Sequence, residues 1–274
     1  MNKNEPSKKE LIAQTFDHAA LGYRELSYFE QYGRRLVELA DIPQCAQVLD
    51  VASGRGAVLF PAAERVREKG RVIGIDLSEQ MVSETRAEAR QRGFKNVELH
   101  KMDAEQLHFP NASFDFVLCG FALFFFPQLE RALAEFRRVL KPHGRLAVST
   151  WGEEDARWTW YDTLAADYGA VVKLRTQMLD QRSTIQAALE HAGFTTIQIV
   201  TEQMEWRVAD EQEWWNAKWA VSGRLGLEKL DPNTLTQLRV DAFQKMQALK
   251  QPDGFCELLQ AHLALANNNA QAIT

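Results

Sequence analysis

The chain has 274 residues, of which 46% are hydrophobic and 25% charged. That is the make-up of a soluble globular protein, and it excludes a wholly disordered chain, a collagen or a coiled-coil rod. Thirty-seven acidic against 32 basic side chains leave a net charge of −5, so no global pull toward nucleic acid or anionic lipid is expected.

The length suits one large domain or one domain with an elaboration. Cys45, Cys119 and Cys256 are far apart and form no C-x-x-C pair. Neither zinc nor a redox motif is expected, and a reducing compartment fits better than a secreted one. The polar first ten residues do not read as a signal peptide. The longest apolar run, residues 116–127, is too short for the roughly 20 residues of a membrane span. The expected location is the cytoplasm.

In chain order, Ser7 to Ala40 has helical spacing with a break near Gly22. Gln47 to Ala52 reads as a strand and Val58 to Glu68 as a helix. Arg71 to Asp76 is a second strand, followed by a helix from a Ser78 cap to about Arg92, closed by Gly93. Strands follow at Asn96–Lys101 and Phe114–Cys119, then a helix over Leu129–Leu140, a turn at His143-Gly144 and a strand over Arg145–Thr150. A helix at Thr184–His191 and a strand at Thr195–Gln203 come next. A helix at Thr234–Lys250 precedes the last strand, Phe255–Ala266. Strands alternating with helices at this spacing predict βαβ units and a mainly parallel sheet. All seven tryptophans lie between Trp151 and Trp219, so a regular α/β core is followed by an elaborated C-terminal part. The stretch of about 50 residues before the last strand is too long for a plain connection and is expected to form a helical cap.

The main chemical signal is the run from Val48 to Gly56, VLDVASGRG, which takes a strand through a glycine turn into a helix. Glycines there let backbone N–H groups approach a ligand, and the helix N-terminus favours negative charge. Asp76 closes the second strand, where a carboxylate can accept both hydroxyls of an adenosine ribose. Nicotinamide-binding folds share this plan. Against them, Leu59 stands where their third small residue belongs. Asp50, just before the turn, suits an ammonium better than a pyrophosphate.

Several motifs in order resemble the class I S-adenosylmethionine-dependent methyltransferases, in the small-molecule branch that includes the ubiquinone and menaquinone C-methyltransferases. Leu49 to Gly56 is similar to the family's first motif, with Ala52 in place of its first glycine. Residues 73–78, IGIDLS, resemble the second. Residues 101–105, KMDAE, resemble the adenine-binding turn. Residues 114–119 resemble the fourth strand, and residues 140–146, LKPHGRL, the turn into the fifth. Residues 15–23, TFDHAALGY, resemble the N-terminal segment. The likeness spans roughly residues 15 to 205 and the last strand.

It implies a Rossmann-like, seven-stranded, mainly parallel α/β sheet with helices on both faces. The implied parts are an N-terminal helical lid (1–42), a cofactor-binding core (43–205), a helical cap insertion (206–254) and a final strand with tail (255–274). The implied cofactor is S-adenosyl-L-methionine, giving S-adenosyl-L-homocysteine. Residue by residue, Ala52, Ser53 and Gly54 would face the methionine half, with Gly56 in the same turn and Asp50 orienting the ammonium through water. Asp76 would hold the ribose, while Leu77 and Met81 would pack on the adenine. Asp103 and the Ala104 backbone would meet the adenine edge. Cys119 would lie near the methyl, and Tyr23 would close the site from above.

Other roles stay open. Asp17, His18 and Tyr23 are general-base candidates by position only. Phe124, Phe125, Trp151, Trp214 and Trp215 read equally well as core or as substrate wall. Cys119 reads as a small buried hydrophobe rather than a nucleophile. The six histidines have no metal-ligand spacing. Cys119 to Ala122 does not match the N/D-P-P-Y/F turn of nucleic-acid amino-methylating enzymes. A small, apolar or aromatic methyl acceptor is therefore expected. The alternatives are a cofactor-binding protein that transfers no methyl group, an RNA or protein methyltransferase, and a nicotinamide-dependent oxidoreductase.

Overall fold

The computed structural model describes residues 6–171 and 174–269. Two helices come first, α1 (Lys8–Tyr23) and α2 (Ser27–Ala40). Ser7 and Glu10 cap α1 reciprocally, satisfying two N–H groups that the helix cannot. Gly22 stays inside α1, and the break falls after Tyr23 instead. Its missing side chain lets α1 approach closely, since a Cβ there would lie 3.4 Å from Ala220 Cβ.

The core then alternates β1 (Gln47–Val51), α3 (Leu59–Val66), β2 (Arg71–Asp76), α4 (Glu79–Gln91), β3 (Val97–Lys101) and β4 (Phe114–Gly120). After a 3-10 turn at Leu123–Phe125 come α5 (Leu129–Val139) and β5 (Leu140–Trp151). β5 starts five residues before the predicted Arg145 because Leu140 already pairs with Phe114, ahead of a register shift. Beyond it lie α6 (Trp160–Asp167), α7 (Arg182–His191), β6 (Thr195–Val208), α8 (Glu211–Trp219), α9 (Arg224–Leu227), α10 (Pro232–Met246) and β7 (Phe255–Asn267). α10 begins at Pro232 behind an Asp231 cap and stops at Met246, short of the predicted Lys250.

The seven strands form one sheet in the order β3-β2-β1-β4-β5-β7-β6. The pairs from β3 to β5 are parallel, whereas β7 runs antiparallel to both β5 and β6. Alternate strand residues feed opposite faces. Val48, Phe116 and Leu118 pack with α2 and α3, while Leu49, Val117 and Cys119 pack with α5 and α7. A third apolar cluster joins α6, α8 and α10 around Trp158, Trp214 and Trp215.

The chain moves from β1 to β2 and β3 on one side and then returns to β4 on the other. The carboxyl ends of β1 and β4 therefore flank a crevice, the place where open α/β sheets bind ligands.

Candidate cofactor site

The crevice is shaped by the turn after β1. Ala52, Gly54 and Gly56 all have positive φ, at 54°, 49° and 84°. The Gly54 N–H donates to Asp76 Oδ2 at 2.9 Å, and the Ser78 N–H donates to Asp76 Oδ1 at 2.9 Å. Asp76 thus ties the glycine turn to the start of α4. Each oxygen keeps a lone pair for a further donor. Burial pushes the Asp76 carboxyl up to about 6, against the pull of the backbone donors at Ser78, Gly54 and Leu77. Thr85 Oγ1 donates to the Gly54 carbonyl at 2.7 Å and pins the turn from α4.

A cavity of about 90 Å³ opens over this turn. Tyr23, Ala52, Gly54, Asp76, Leu77, Met81, Asp103 and Ala104 line it, so eight of the twelve residues expected at the cofactor converge there. Phe125 lines the opposite wall beside Phe121 and Ala122.

Asp50, Ser53, Gly56 and Cys119 do not line the cavity. Asp50 lies on β1 between Gly74 and Leu118, and neither of its carboxyl oxygens has a hydrogen-bond partner. Burial and then the nearby Asp76 hold its carboxyl well above the ordinary range. Ser53 donates its backbone N–H to the Ile75 carbonyl, and its buried hydroxyl is unpartnered. Cys119 faces the core on the α5 side, where burial holds its thiol up and neutral. The wall that was expected from Cys119 comes instead from Gly120, Phe121 and Ala122, one to three residues further on.

Of the three general-base candidates only Tyr23 lines the cavity. Asp17 Oδ1 accepts from Ser78 Oγ at 2.5 Å and from the Gln80 N–H at 3.0 Å, so it serves the start of α4. His18 is largely exposed, 3.3 Å from Glu228. The Tyr23 ring stacks on Phe29, and burial raises its phenol, which makes deprotonation harder. The aromatic candidates also separate. Phe124 is buried behind Phe125, Trp151 lines a second cavity, and Trp214 and Trp215 are packed into the third apolar cluster.

Sequence reasoning missed Lys9, Ile12 and Phe16, which project from α1 into the cavity. Their 3- and 4-residue spacing with Tyr23 one turn pair later was the available signal. Lys9 donates to Asp103 Oδ2 at 2.6 Å and is ion-paired with the buried Glu105. The Glu105 N–H in turn donates to Asp103 Oδ1 at 2.9 Å. Phe121, at φ 53°, carried no local sign of its backbone conformation.

Among the described residues no group of three or more His, Cys, Asp or Glu could hold a metal ion, and no helix is long and apolar enough to cross a membrane.

Residues 48–144 match a family model described as a methyltransferase domain. Aklanonic acid methyltransferase DauC of Streptomyces sp. strain C5 is 41% identical over 146 residues, which are 53% of this chain and 66% of that protein. Nocamycin O-methyltransferase of Saccharothrix syringae is 30% identical over 239 residues, 81% of this chain and 85% of that protein. The crystal structure of a SAM-dependent methyltransferase from Aquifex aeolicus superposes with a TM-score of 0.51 at 25% identity, covering 61% of this chain and 82% of that one.

Proposed function

We propose, from the premise that this chain belongs to the S-adenosylmethionine-dependent methyltransferases, that it methylates a small, largely apolar or aromatic acceptor. The observation that carries the reading is Asp76. Its two oxygens already hold the glycine turn and the start of α4, and Asp76 lines the cavity together with Gly54 and Leu77. The residues fit the cofactor: a turn with three positive-φ positions, a carboxylate for a diol, apolar Leu77 and Met81, and Asp103 with Ala104 for a polar ring edge.

When bound, S-adenosylmethionine supplies an electrophilic methyl on a leaving group that departs neutral. The chain then has to bind, orient and exclude water, and alignment can supply much of the acceleration. Asp76 holds the ribose. Asp103 takes the adenine amino group once Lys9 yields that oxygen. The unpartnered Asp50 carboxyl orients the ammonium from beneath the turn. In this reading α1 is a lid, fastened by Lys9 at one end and by Asp17 on Ser78 nearer the other. The cap expected at 206–254 is taken to start at 209, because β6 runs on to Val208. Asp17 and His18 lie outside the cavity lining and burial holds the Tyr23 phenol up, which favours an acceptor atom that needs no base from these three.

The two relatives named above are called methyltransferases of aklanonic acid and of nocamycin. This supports a small-molecule acceptor over RNA or protein. The three unbonded cysteines support a reducing, cytoplasmic setting.

Isothermal titration with S-adenosylmethionine and S-adenosylhomocysteine tests the site. Micromolar binding of both, weakened in Asp76→Asn, is the expected result. Methyl transfer from labelled cofactor to a panel of small phenols, quinols and amines then tests the reaction. A folded protein that binds neither ligand would overturn the reading.

A further inference from the structure

A second cavity, of about 200 Å³, lies beyond an aromatic partition from the first. Phe121 lines the first cavity and stacks on Trp151, which lines the second, with ring centroids 4.2 Å apart. Tyr28, Trp151, Trp158, Tyr161 and Trp206 give the second cavity five aromatic walls.

Its charges are unequal. Glu153, Glu154, Asp155, Asp162 and Glu257 face Lys218 and Arg175. Asp155 is already neutralised by Arg157 at 2.5 Å and accepts the Leu258 N–H at 2.9 Å. Arg175 lies over the Phe124 ring, 5.0 Å from its centroid. Glu257 differs from the other acids, because its Oε2 is buried and has no hydrogen-bond partner. Burial, the largest influence, holds its carboxyl above the ordinary range, against the pull of Lys218 and of the nearby Trp214 indole N–H, which makes no hydrogen bond of good geometry with it. The Lys218 ammonium, itself in the lining, already lies against one aromatic ring of the lining, Tyr161, and one behind it, Trp214. It sits 4.4 Å from the Trp214 ring centroid and 5.2 Å from that of Tyr161. Aromatic faces joined to a carboxylate with a free lone pair are the chemistry that recognises alkylammonium groups.

We propose that the second cavity binds an organic cation, a protonated or quaternary amine on an apolar or aromatic body, with Glu257 as its counter-ion. That this cation is the charged end of the methyl acceptor rests on the methyl-transfer reading; the cation site itself does not.

The probe is trimethyl(2-phenylethyl)ammonium, set against its neutral carbon isostere and against 3-phenylpropanoate. Binding to the full chain is followed by calorimetry and tryptophan fluorescence. The expected result is a preference for the cation of about tenfold over the isostere, lost in Glu257→Gln. Lys218→Met removes the internal ammonium and should tighten the probe several-fold, an opposite change that loss of folding would not produce. Equal binding of cation and isostere, preference for the carboxylate, or no change in Glu257→Gln would each overturn the proposal.

S-adenosylhomocysteine is titrated on the same samples. Cofactor binding without cation binding sinks the cation site and leaves the methyl-transfer reading. Cation binding without cofactor binding does the reverse. With both bound, an acceptor handle predicts that amine-bearing arenes are methylated in preference to their neutral analogues. The opposite preference would separate the cation site from the acceptor.

Discussion

The two halves of the sheet are built by different means. From β3 to β4 the strands are five to seven residues long and parallel, and the cavity at their ends is set by backbone. Three positive-φ residues, two N–H groups on Asp76 and a threonine on a carbonyl hold it. From β5 to β6 the strands run to 12–14 residues with antiparallel pairing, and the cavity there is walled by large side chains. The match to the methyltransferase domain covers residues 48–144, which is the first half with α5, and stops before most of the second cavity's lining. The difference teaches where to look for each property. The glycine turn and the acid of the first half fall within the methyltransferase-domain match, whereas the tryptophans of the second half lie beyond it and are reached by the longer match to nocamycin O-methyltransferase, which takes in 81% of the chain.

Perturbing each half should therefore have a different signature. The largest effect is expected from Trp214→Ala. The indole is fully buried against Trp158, Trp160 and Tyr161. Emptying it should cost about 3–5 kcal/mol of stability. In a sample kept folded by low temperature, cofactor affinity should be unchanged. A matching loss of cofactor binding would mean that the halves are not separable.

In the first half a single methyl is enough. A Cβ at Gly33 would lie 2.1 Å from the Ala57 carbonyl oxygen, so α2 touches the loop before α3 backbone to backbone. Gly33→Ala should cost about 1–3 kcal/mol, read as a lowered melting temperature. Because the clash is next to the glycine turn, cofactor affinity should fall as well, unlike in Trp214→Ala.

The same contrast explains what could be read from the sequence. The order of the first strands and the place of Asp76 follow from short, dense signals: a strand, a glycine turn, a strand ending in an acid. The second half gave less. β6 runs past the expected end at Gln203 to Val208, through Glu205 and Arg207, whose polarity hides a strand made regular by pairing with β7. α6 buries only Leu164 and Ala165 and so has no apolar stripe to detect. The second cavity draws its walls from segments as distant as Tyr28 and Gln260, and such a meeting has no linear pattern. Trp214 and Trp215 fall inside the expected helical cap, but their helix α8 was not assigned from sequence, and the partners they meet depend on α6 and α10.

Asp76→Asn should weaken binding and also lower stability, because the amide nitrogen cannot accept from one of the Gly54 and Ser78 N–H groups. Losing charge-assisted hydrogen bonds to ribose hydroxyls should cost about 1.5–3 kcal/mol of cofactor affinity, or roughly 10–150-fold. The wild-type protein carries a pH signature of the same group. With its carboxyl pushed up to about 6, Asp76 ionises only above that pH in the free protein. Cofactor affinity should fall as pH drops below about 6, and Asp76→Asn should abolish that part of the dependence. Stability has the opposite sign. A raised folded-state value means that the native protein binds the proton more tightly than the unfolded chain. The Asp76 contribution to stability therefore declines as pH rises from the ordinary value of 3.8 to about 6, and is constant above. Titrations across pH 5 to 8 check the first statement, and melting curves of wild type against Asp76→Asn over pH 4 to 7 check the second.

The smallest effect, and the finest test of the backbone-built half, is Ala52→Gly. Ala52 stands where the family pattern has glycine, yet it adopts φ 54°. An alanine held there costs about 1–2 kcal/mol that glycine does not. Glycine gives back roughly 0.4–1 kcal/mol through the greater freedom of the unfolded chain. The difference runs from nothing to about 1.6 kcal/mol in glycine's favour, so the melting temperature should hold or rise modestly. Binding should respond more clearly. The Ala52 methyl lines the cavity, and removing it lets a ligand approach the turn more closely. A modest gain in cofactor affinity with stability held or modestly raised would show that the turn's conformation is imposed by its hydrogen bonds to Asp76 and β2, and that the residue at position 52 only adapts to it. A clear loss of stability would show instead that the methyl packs usefully and that side chains help to build this half as well.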